Sequence, residues 1–83
     1  MSYSETAEFE FEEPDAEIIY QSLIVESLRE IPRTKIELST KEKMLKLTIY
    51  AEDVNALRSA INSYLRWINL SINILELKRN GRT

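Results

Sequence analysis

The sequence predicts one α+β domain whose elements follow the order strand, helix, strand, strand, helix. Three observations lead to this prediction. Apolar and polar residues alternate over residues 3–12 and again over 34–51, as they do in strands with one buried face. After each of these stretches, apolar residues recur at helical spacing. The chain has 83 residues, too few for two separate cores, so we expect a single domain over 1–83, with its core at about 3–79 and a tail at 80–83.

The first strand has an apolar side and an acidic side, and a helix follows it. The apolar side holds Tyr3, Ala7, Phe9 and Phe11, and the acidic side holds Glu8, Glu10 and Glu12. Pro14 and Asp15 predict the start of the helix, because proline suits the first turn and a carboxylate there complements the helix dipole. The helix is expected to run toward Pro32, with apolar residues at Ile19, Tyr20, Leu23, Ile24 and Leu28.

The alternating stretch from Thr34 to Ala51 predicts a hairpin with its turn at Lys41, Glu42 and Lys43. A right-handed crossover from the first strand places the third strand at the centre of a three-stranded antiparallel sheet. This is a split βαβ arrangement with both helices on one face and both sheet edges open. Open edges are where a small sheet pairs with a second copy. The three acids of the first strand are expected to lie near Lys46 on the central strand.

The last helix is expected to run from about Asp53 to about Arg79 and to stop before Asn80 and Gly81. It would be about 40 Å long and overhang the sheet. One apolar stripe is predicted to cover the sheet: Val54, Leu57, Ile61, Tyr64, Leu65, Ile68, Ile72 and Leu75. A second stripe is predicted on nearly the opposite side: Ala56, Ser59, Ser63, Trp67, Leu70, Ile74 and Leu77.

One helix cannot press two opposite sides against the same sheet, so the second stripe predicts a protein interface. Its small residues permit close backbone approach and its large ones can anchor a partner. The candidate partner-binding residues are Ala56, Ser59, Ser63, Trp67, Leu70 and Ile74. The alternative is that the first helix covers the whole stripe, or that Trp67 is simply half exposed.

A polar flank between the stripes carries candidate residues for contact with phosphate or with partner carboxylates. These are Arg58 and Arg66, with Lys78, Arg79 and Arg82 farther along the chain. Arginine and lysine side chains contact phosphates, sugars or partner carboxylates. A solvated helix face has the same composition, so the pattern alone leaves both interpretations open.

Composition argues against most enzyme classes. The chain has no Cys and no His, which excludes disulfides, thiolate and imidazole metal sites, and thiolate and imidazole catalysis. Chemistry by carboxylates alone remains possible in principle, but it needs paired acids in a cleft, and one Gly and two Pro leave little loop to build one. The single Gly, Gly81, lies in the tail and cannot form a phosphate loop. We therefore expect no catalytic activity and no cofactor. The acidic start is not a secretory signal and no apolar run is long enough to span a bilayer, so we expect a soluble, cytoplasmic protein.

The charge distribution is uneven. Net charge is −3, but seven of the 14 acidic residues precede residue 18, where there is no base. Residues 18–83 hold the remaining seven acids against 11 bases and are mildly basic. This surplus is smaller than that of a stand-alone nucleic-acid binder, so any contact with RNA is expected to need partner proteins.

The run from Glu52 to Trp67 resembles the signature helix of the small dimerising subunit of the KEOPS complex, the CTAG/Pcc family. The strongest likeness is Leu57-Arg58 followed by Asn62-Ser63-Tyr64-Leu65-Arg66-Trp67. The resemblance implies a KH-like α+β fold without the Gly-rich RNA loop, and pairing into a six-stranded sheet in a homodimer or in a heterodimer with a paralogue.

The resemblance also implies a function. In that family the two helices dock on the threonylcarbamoyl transferase subunit, in a complex that makes threonylcarbamoyladenosine in tRNA. It assigns transferase docking to Ala56, Ser63, Trp67 and Leu70, and a tRNA role to Arg58 and Arg66. ATP and metal belong to the enzyme subunits. The sequence thus predicts a non-catalytic dimerisation and scaffold subunit, with an autonomous KH-like RNA-binding module as the alternative.

Overall fold

The structure, a computed structural model, describes residues 2–28 and 31–79, with Arg79 by its backbone alone. The predicted tail at 80–83, which includes the expected stop at Asn80 and Gly81, lies outside the described residues. The elements appear in the predicted order: β1 (Glu5–Glu12), α1 (Ala16–Glu26), β2 (Thr34–Lys41), β3 (Met44–Ala51) and α2 (Val54–Arg79). Neither helix of the described part combines the length and apolar character needed to cross a bilayer.

The three strands form one antiparallel sheet with β3 at its centre, which confirms the predicted strand order. Leu47 of β3 lies opposite Phe9 of β1 on one side and opposite Leu38 of β2 on the other. Because side chains alternate across a strand, the apolar residues of all three strands share one face. Both helices pack on that face, so the α+β prediction is confirmed.

The opposite face of the sheet is polar and internally paired. The ammonium of Lys46 lies 3.3 Å from a carboxylate oxygen of Glu8, and Glu10 is the register partner of Lys46 on β1. The predicted neighbourhood of these acids and Lys46 is therefore confirmed. On the other flank, the hydroxyl of Tyr50 donates to Glu37 at 3.0 Å, and this bond to a carboxylate raises the pKa of Tyr50.

Helix α1 is shorter than its sequence pattern predicts. It ends at Glu26, and Ser27 closes it by donating its hydroxyl to the carbonyl of Ile24 at 2.7 Å. Leu28, which the helical spacing included, is largely exposed. Because Leu28 is 80% exposed, burial of its side chain does little to extend the helix, and local hydrogen bonding ends it earlier.

The core lies between the helix layer and the central strand. Its fully buried residues are Ala16, Ile19 and Leu23 of α1, Leu45, Leu47 and Ile49 of β3, and Ala60, Tyr64 and Ile68 of α2. Phe9 and Phe11 of β1 pack against this cluster from the edge of the sheet. The two helices and the central strand therefore support one another.

The start of α2 is fixed by Asp53, as the sequence predicted. One carboxylate oxygen of Asp53 accepts a hydrogen bond from the backbone N–H of Ala56 at 2.8 Å. N–H groups in the first turn of a helix have no acceptor within the helix, so this bond gives one of them a partner. The other oxygen lies 2.7 Å from the guanidinium of Arg33. Arg33 lies just before β2 and has a positive φ of 63°. Because of this position, its ion pair with Asp53 links the start of β2 to the start of α2.

Candidate docking site between the two helices

Helix α2 does not have two opposed apolar faces, and this part of the prediction is wrong. Its buried line runs through Ala56, Ala60, Tyr64 and Ile68, at every fourth position. At about 100° per residue, the two predicted stripes lie on either side of this line. They are adjacent flanks of one wide apolar arc, and the core occupies the middle of the arc.

Because the buried side of α2 is not the predicted one, two residues lie elsewhere than expected. Ala56 was expected on the free side, but it is 4% exposed and packs inside the protein. Val54 was expected to cover the sheet, but it is 49% exposed. The reason is the small size of Ala56 and Ala60, which lets the helix approach the core closely along their side. Helical periodicity finds large apolar residues and overlooks such a line of alanines.

Trp67 joins the core to the surface. Its ring is perpendicular to that of Tyr64, with the centroids 5.0 Å apart and the planes at 75°, a favourable aromatic geometry. The indole is half-buried, because one part packs against the core cluster while another part reaches the surface between the helices. The alternative that α1 encloses the whole stripe is therefore not what the structure has.

Beyond Trp67, the second stripe is about half exposed within the described part of the chain. Leu70 is 56% exposed and Ile74 is 46% exposed, and Leu77 is exposed farther along. Ser59 is exposed and Ser63 is half-buried on the preceding turns. Five of the six candidate partner-binding residues thus reach the surface at least in part, and Ala56 does not.

Helix α1 contributes to the same surface, which the sequence analysis missed. Ile18 is 51% exposed and Val25 is 63% exposed, seven residues apart and hence on one side of α1. A signal was present in the sequence, since apolar residues off the stripe of Ile19 and Leu23 make α1 apolar on two sides. Such a helix has a second surface to cover.

We call the trough between the two helices the interhelical groove. It consists of two hollows of about 100 Å³ and about 150 Å³. The first is lined by Ser22, Leu23, Glu26, Trp67, Leu70 and Ser71, and the second by Ile18, Ile19, Ser22, Ser71, Ile74, Leu75 and Lys78. The start of α1 lines a hollow with the end of α2, and the end of α1 lines a hollow with Trp67, so the two helices run antiparallel. The small residues Ser22 and Ser71 belong to both hollows and lie at the middle of the groove.

The ends of the groove carry opposite charges. Glu26 lines the hollow beside Trp67, and Lys78 lines the hollow beside Ile74. Burial of the Tyr64 ring raises the pKa of its hydroxyl, and the nearby carboxylate of Glu26 raises it further. Among the described residues, none forms a hydrogen bond with the Tyr64 hydroxyl.

The candidate tRNA-binding residues lie on different sides of α2. Arg58 and Arg66 are exposed on the side of α2 away from the core, about 12 Å apart along the helix axis. Lys78 instead lies beside α1 in the interhelical groove. The side chain of Arg79 and all of Arg82 lie outside the described residues.

A separate hollow of about 430 Å³ lies on the other flank of α2, beside the edge strand β1. Its apolar walls come from Phe11, Leu65, Ile68 and Ile72, and Arg66 and Asn69 line its rim. Here the apolar arc of α2 extends past the sheet, as expected for a helix longer than the strands it covers.

The described part of the chain combines a sheet with open edges and a helix layer with an uncovered apolar groove. Among residues 2–28 and 31–79, no group of three or more acidic side chains is placed to hold a metal ion.

Comparison with known proteins identifies the family. A family model described as "Transcription factor Pcc1" matches residues 4–76. The KEOPS complex subunit Pcc1 of Pyrococcus abyssi (strain GE5 / Orsay) is 34% identical over 64 residues, covering 75% of this chain and 77% of the relative. The chain belongs to the Pcc1 family, which confirms the resemblance inferred from the run between Glu52 and Trp67.

Proposed function

We propose that this protein is a non-catalytic dimerisation and scaffold subunit of a KEOPS complex. In this role it docks the threonylcarbamoyl transferase subunit through the interhelical groove and so supports threonylcarbamoyladenosine modification of tRNA. The observation that carries the proposal is the interhelical groove, in which exposed apolar side chains of Ile18 on α1 and of Leu70 and Ile74 on α2 line two neighbouring hollows. Family membership and the name of the Pyrococcus relative supply the identity of the complex.

The docking step follows from the shape and composition of this surface. Large apolar side chains from two neighbouring helices form its walls, and Ser22 and Ser71 keep its floor open. A partner helix can lie along such a trough and complete a helix bundle, with small residues allowing close approach. Ile18, Leu70 and Ile74 are each about half exposed along one groove, which is a costly arrangement for a chain that works alone, and docking removes that cost.

Dimerisation would use the edges of the sheet. Strands β1 and β2 both present an edge without a neighbouring strand in the described part of the chain. Pairing with a second copy, or with a paralogue, extends the sheet to six strands and satisfies the backbone groups of one edge. The apolar hollow beside Phe11 supports the β1 side, since a second copy there could cover Leu65 and Ile72.

Contact with tRNA would be made through the assembled complex, and the cytoplasm is the proposed location. Arg58 and Arg66 are exposed on α2 and can contact phosphate. Two exposed arginines are few for independent binding of RNA, and the net charge of the chain is −3. Both facts support binding with help from partner proteins. Tight, salt-sensitive binding of tRNA by the isolated protein would instead support an autonomous KH-like RNA-binding module.

Co-purification with the transferase subunit of the same organism tests the docking role. We expect Leu70→Glu to abolish co-purification, because it places a charge in the apolar groove. Val54→Glu is the matched control, since Val54 is similarly exposed on the same helix but lies outside the groove. Thermal unfolding should show both variants folded. Retention of the transferase by Leu70→Glu would overturn the proposal.

A further inference from the structure

The two ends of the interhelical groove differ in charge and in shape. At one end, Glu26 and Trp67 line a narrow hollow of about 100 Å³. At the other end, Lys78 lies beside Ile74 in a hollow of about 150 Å³. Between them, Ser22 and Ser71 form the middle of the floor. A helix docked here therefore meets a carboxylate at one end and an ammonium at the other.

We propose that the hollow at Glu26 and Trp67 is a socket for an arginine side chain of the docked helix, and that Lys78 faces an acidic residue of the same helix. This inference rests on the proposed docking function and adds the direction of the partner helix. The occupant is an amphipathic helix of another polypeptide, with an apolar stripe that carries a base at one end and an acid about three turns away.

The chemistry of the socket favours arginine. A planar guanidinium can stack on an indole while it donates to a carboxylate oxygen, whereas the ammonium of lysine has no planar face to stack. Glu26 and Trp67 line the same hollow and place both groups within reach of one side chain. A carboxylate has about four lone-pair positions, so a bound guanidinium adds to the contacts that Glu26 already makes.

The positions of the two charges decide which end of the partner helix lies at Glu26: the end that carries the base. Trp67 and Lys78 are 11 residues apart on α2, which corresponds to about 16 Å along its axis. A helix laid along the groove therefore needs its base and its acid separated by a similar length. The reverse direction would bring the acid to Glu26 and the base to Lys78, and like charges in a partly buried site repel.

A second copy that docked through its own groove would bring no arginine of the described residues to the socket. Helix α1 has no basic residue between Ala16 and Glu26, so its groove side offers nothing to the socket. The two described arginines of α2, Arg58 and Arg66, lie on the side away from the core. Of the bases with described side chains on α2, only Lys78 lines the groove, and it has no planar guanidinium.

The test measures the affinity of the full chain for the full transferase subunit at low and high salt. We expect Glu26→Gln to weaken binding about tenfold at low salt and to reduce the salt dependence, because it removes one charged contact. Glu26→Lys should weaken binding further, since repulsion replaces attraction. Glu17→Gln removes the same charge from the same helix outside the groove, and should change affinity less than about twofold.

The outcomes separate this inference from the docking function. If Leu70→Glu abolishes binding but Glu26→Gln leaves both the affinity and its salt dependence unchanged, the groove docks the transferase without an arginine in the socket, and the inference is overturned. If Leu70→Glu has no effect, the docking function itself fails. If Glu26→Gln changes the mass of the isolated protein in solution, the groove is filled by a second copy and the inference is again overturned.

Discussion

The rings of Trp67 and Tyr64 are nearly perpendicular, at 75°, with 5.0 Å between their centroids. Tyr64 is fully buried, so this contact holds Trp67 with part of its indole in the core and part in the groove. One residue thereby serves both the stability of the fold and the shape of the docking surface. Leu70, one turn farther along, contributes to the surface alone.

This division of roles predicts different stabilities for two truncations. We expect Trp67→Ala to lower the free energy of unfolding by about 2 kcal/mol, less than for a fully buried aromatic residue. Leu70→Ala should lower it by less than about 0.5 kcal/mol, because Leu70 is mostly exposed. Denaturant unfolding of the two variants measures both values. A loss at Leu70 as large as that at Trp67 would contradict the placement of Leu70 on the surface.

The raised pKa of the Tyr64 hydroxyl predicts that the stability of the fold falls at high pH. Its pKa is raised by burial and by Glu26, so the folded protein holds the phenol proton more tightly than the unfolded chain does. The stability from the neutral phenol is present below about pH 10, the pKa of the unfolded chain, and is lost as pH rises through the folded value.

Tyr64→Phe tests this pH dependence. We expect the variant to be at least as stable at neutral pH, because the lost hydroxyl has no hydrogen-bond partner among the described residues. Above about pH 10 it should lose less stability than the wild type. Thermal unfolding from neutral to alkaline pH compares the two. Tyr3→Phe is the control, because it removes the same hydroxyl from an exposed tyrosine outside the core.

Asp53 is predicted to stabilise the start of α2 mainly as a helix cap. We expect Asp53→Ala to lower the free energy of unfolding by about 1 to 2 kcal/mol, because the N–H of Ala56 loses its acceptor. Arg33→Ala removes only the ion pair to Asp53, which is partly exposed, and should cost less than about 0.5 kcal/mol. Chemical denaturation distinguishes the two, and equal losses would assign the effect to the ion pair instead.

Much of the fold was predictable because its signals are local. Alternation placed Phe9 and Leu47 on the buried face of the sheet, and the crossover rule placed β3 between β1 and β2. Asp53 marked the start of α2 through its capping chemistry. Each of these inferences needs only neighbouring residues or a general rule of chain connection.

The candidate site was less predictable because it depends on how the helices are rotated. Helical spacing identified Leu70 and Ile74 as surface candidates, but it placed Ala56 with them and left out Ile18 and Val25. Which side of a helix is buried depends on the size of the residues at the contact and on the neighbouring helix. Neither can be judged from the periodicity of α2 alone.

The sequence by itself determined the elements, their order and the family, since these depend on patterns within segments and on the run from Glu52 to Trp67. Only the tertiary structure decided that α1 and α2 share one groove, with Glu26 and Lys78 at its two ends. The physical reason is that a groove is a relation between two helices. The position of the groove depends on how α2 is rotated about its axis. Burial of Ala60 and Tyr64 in the core sets this rotation, and Leu70 and Ile74 consequently face outward.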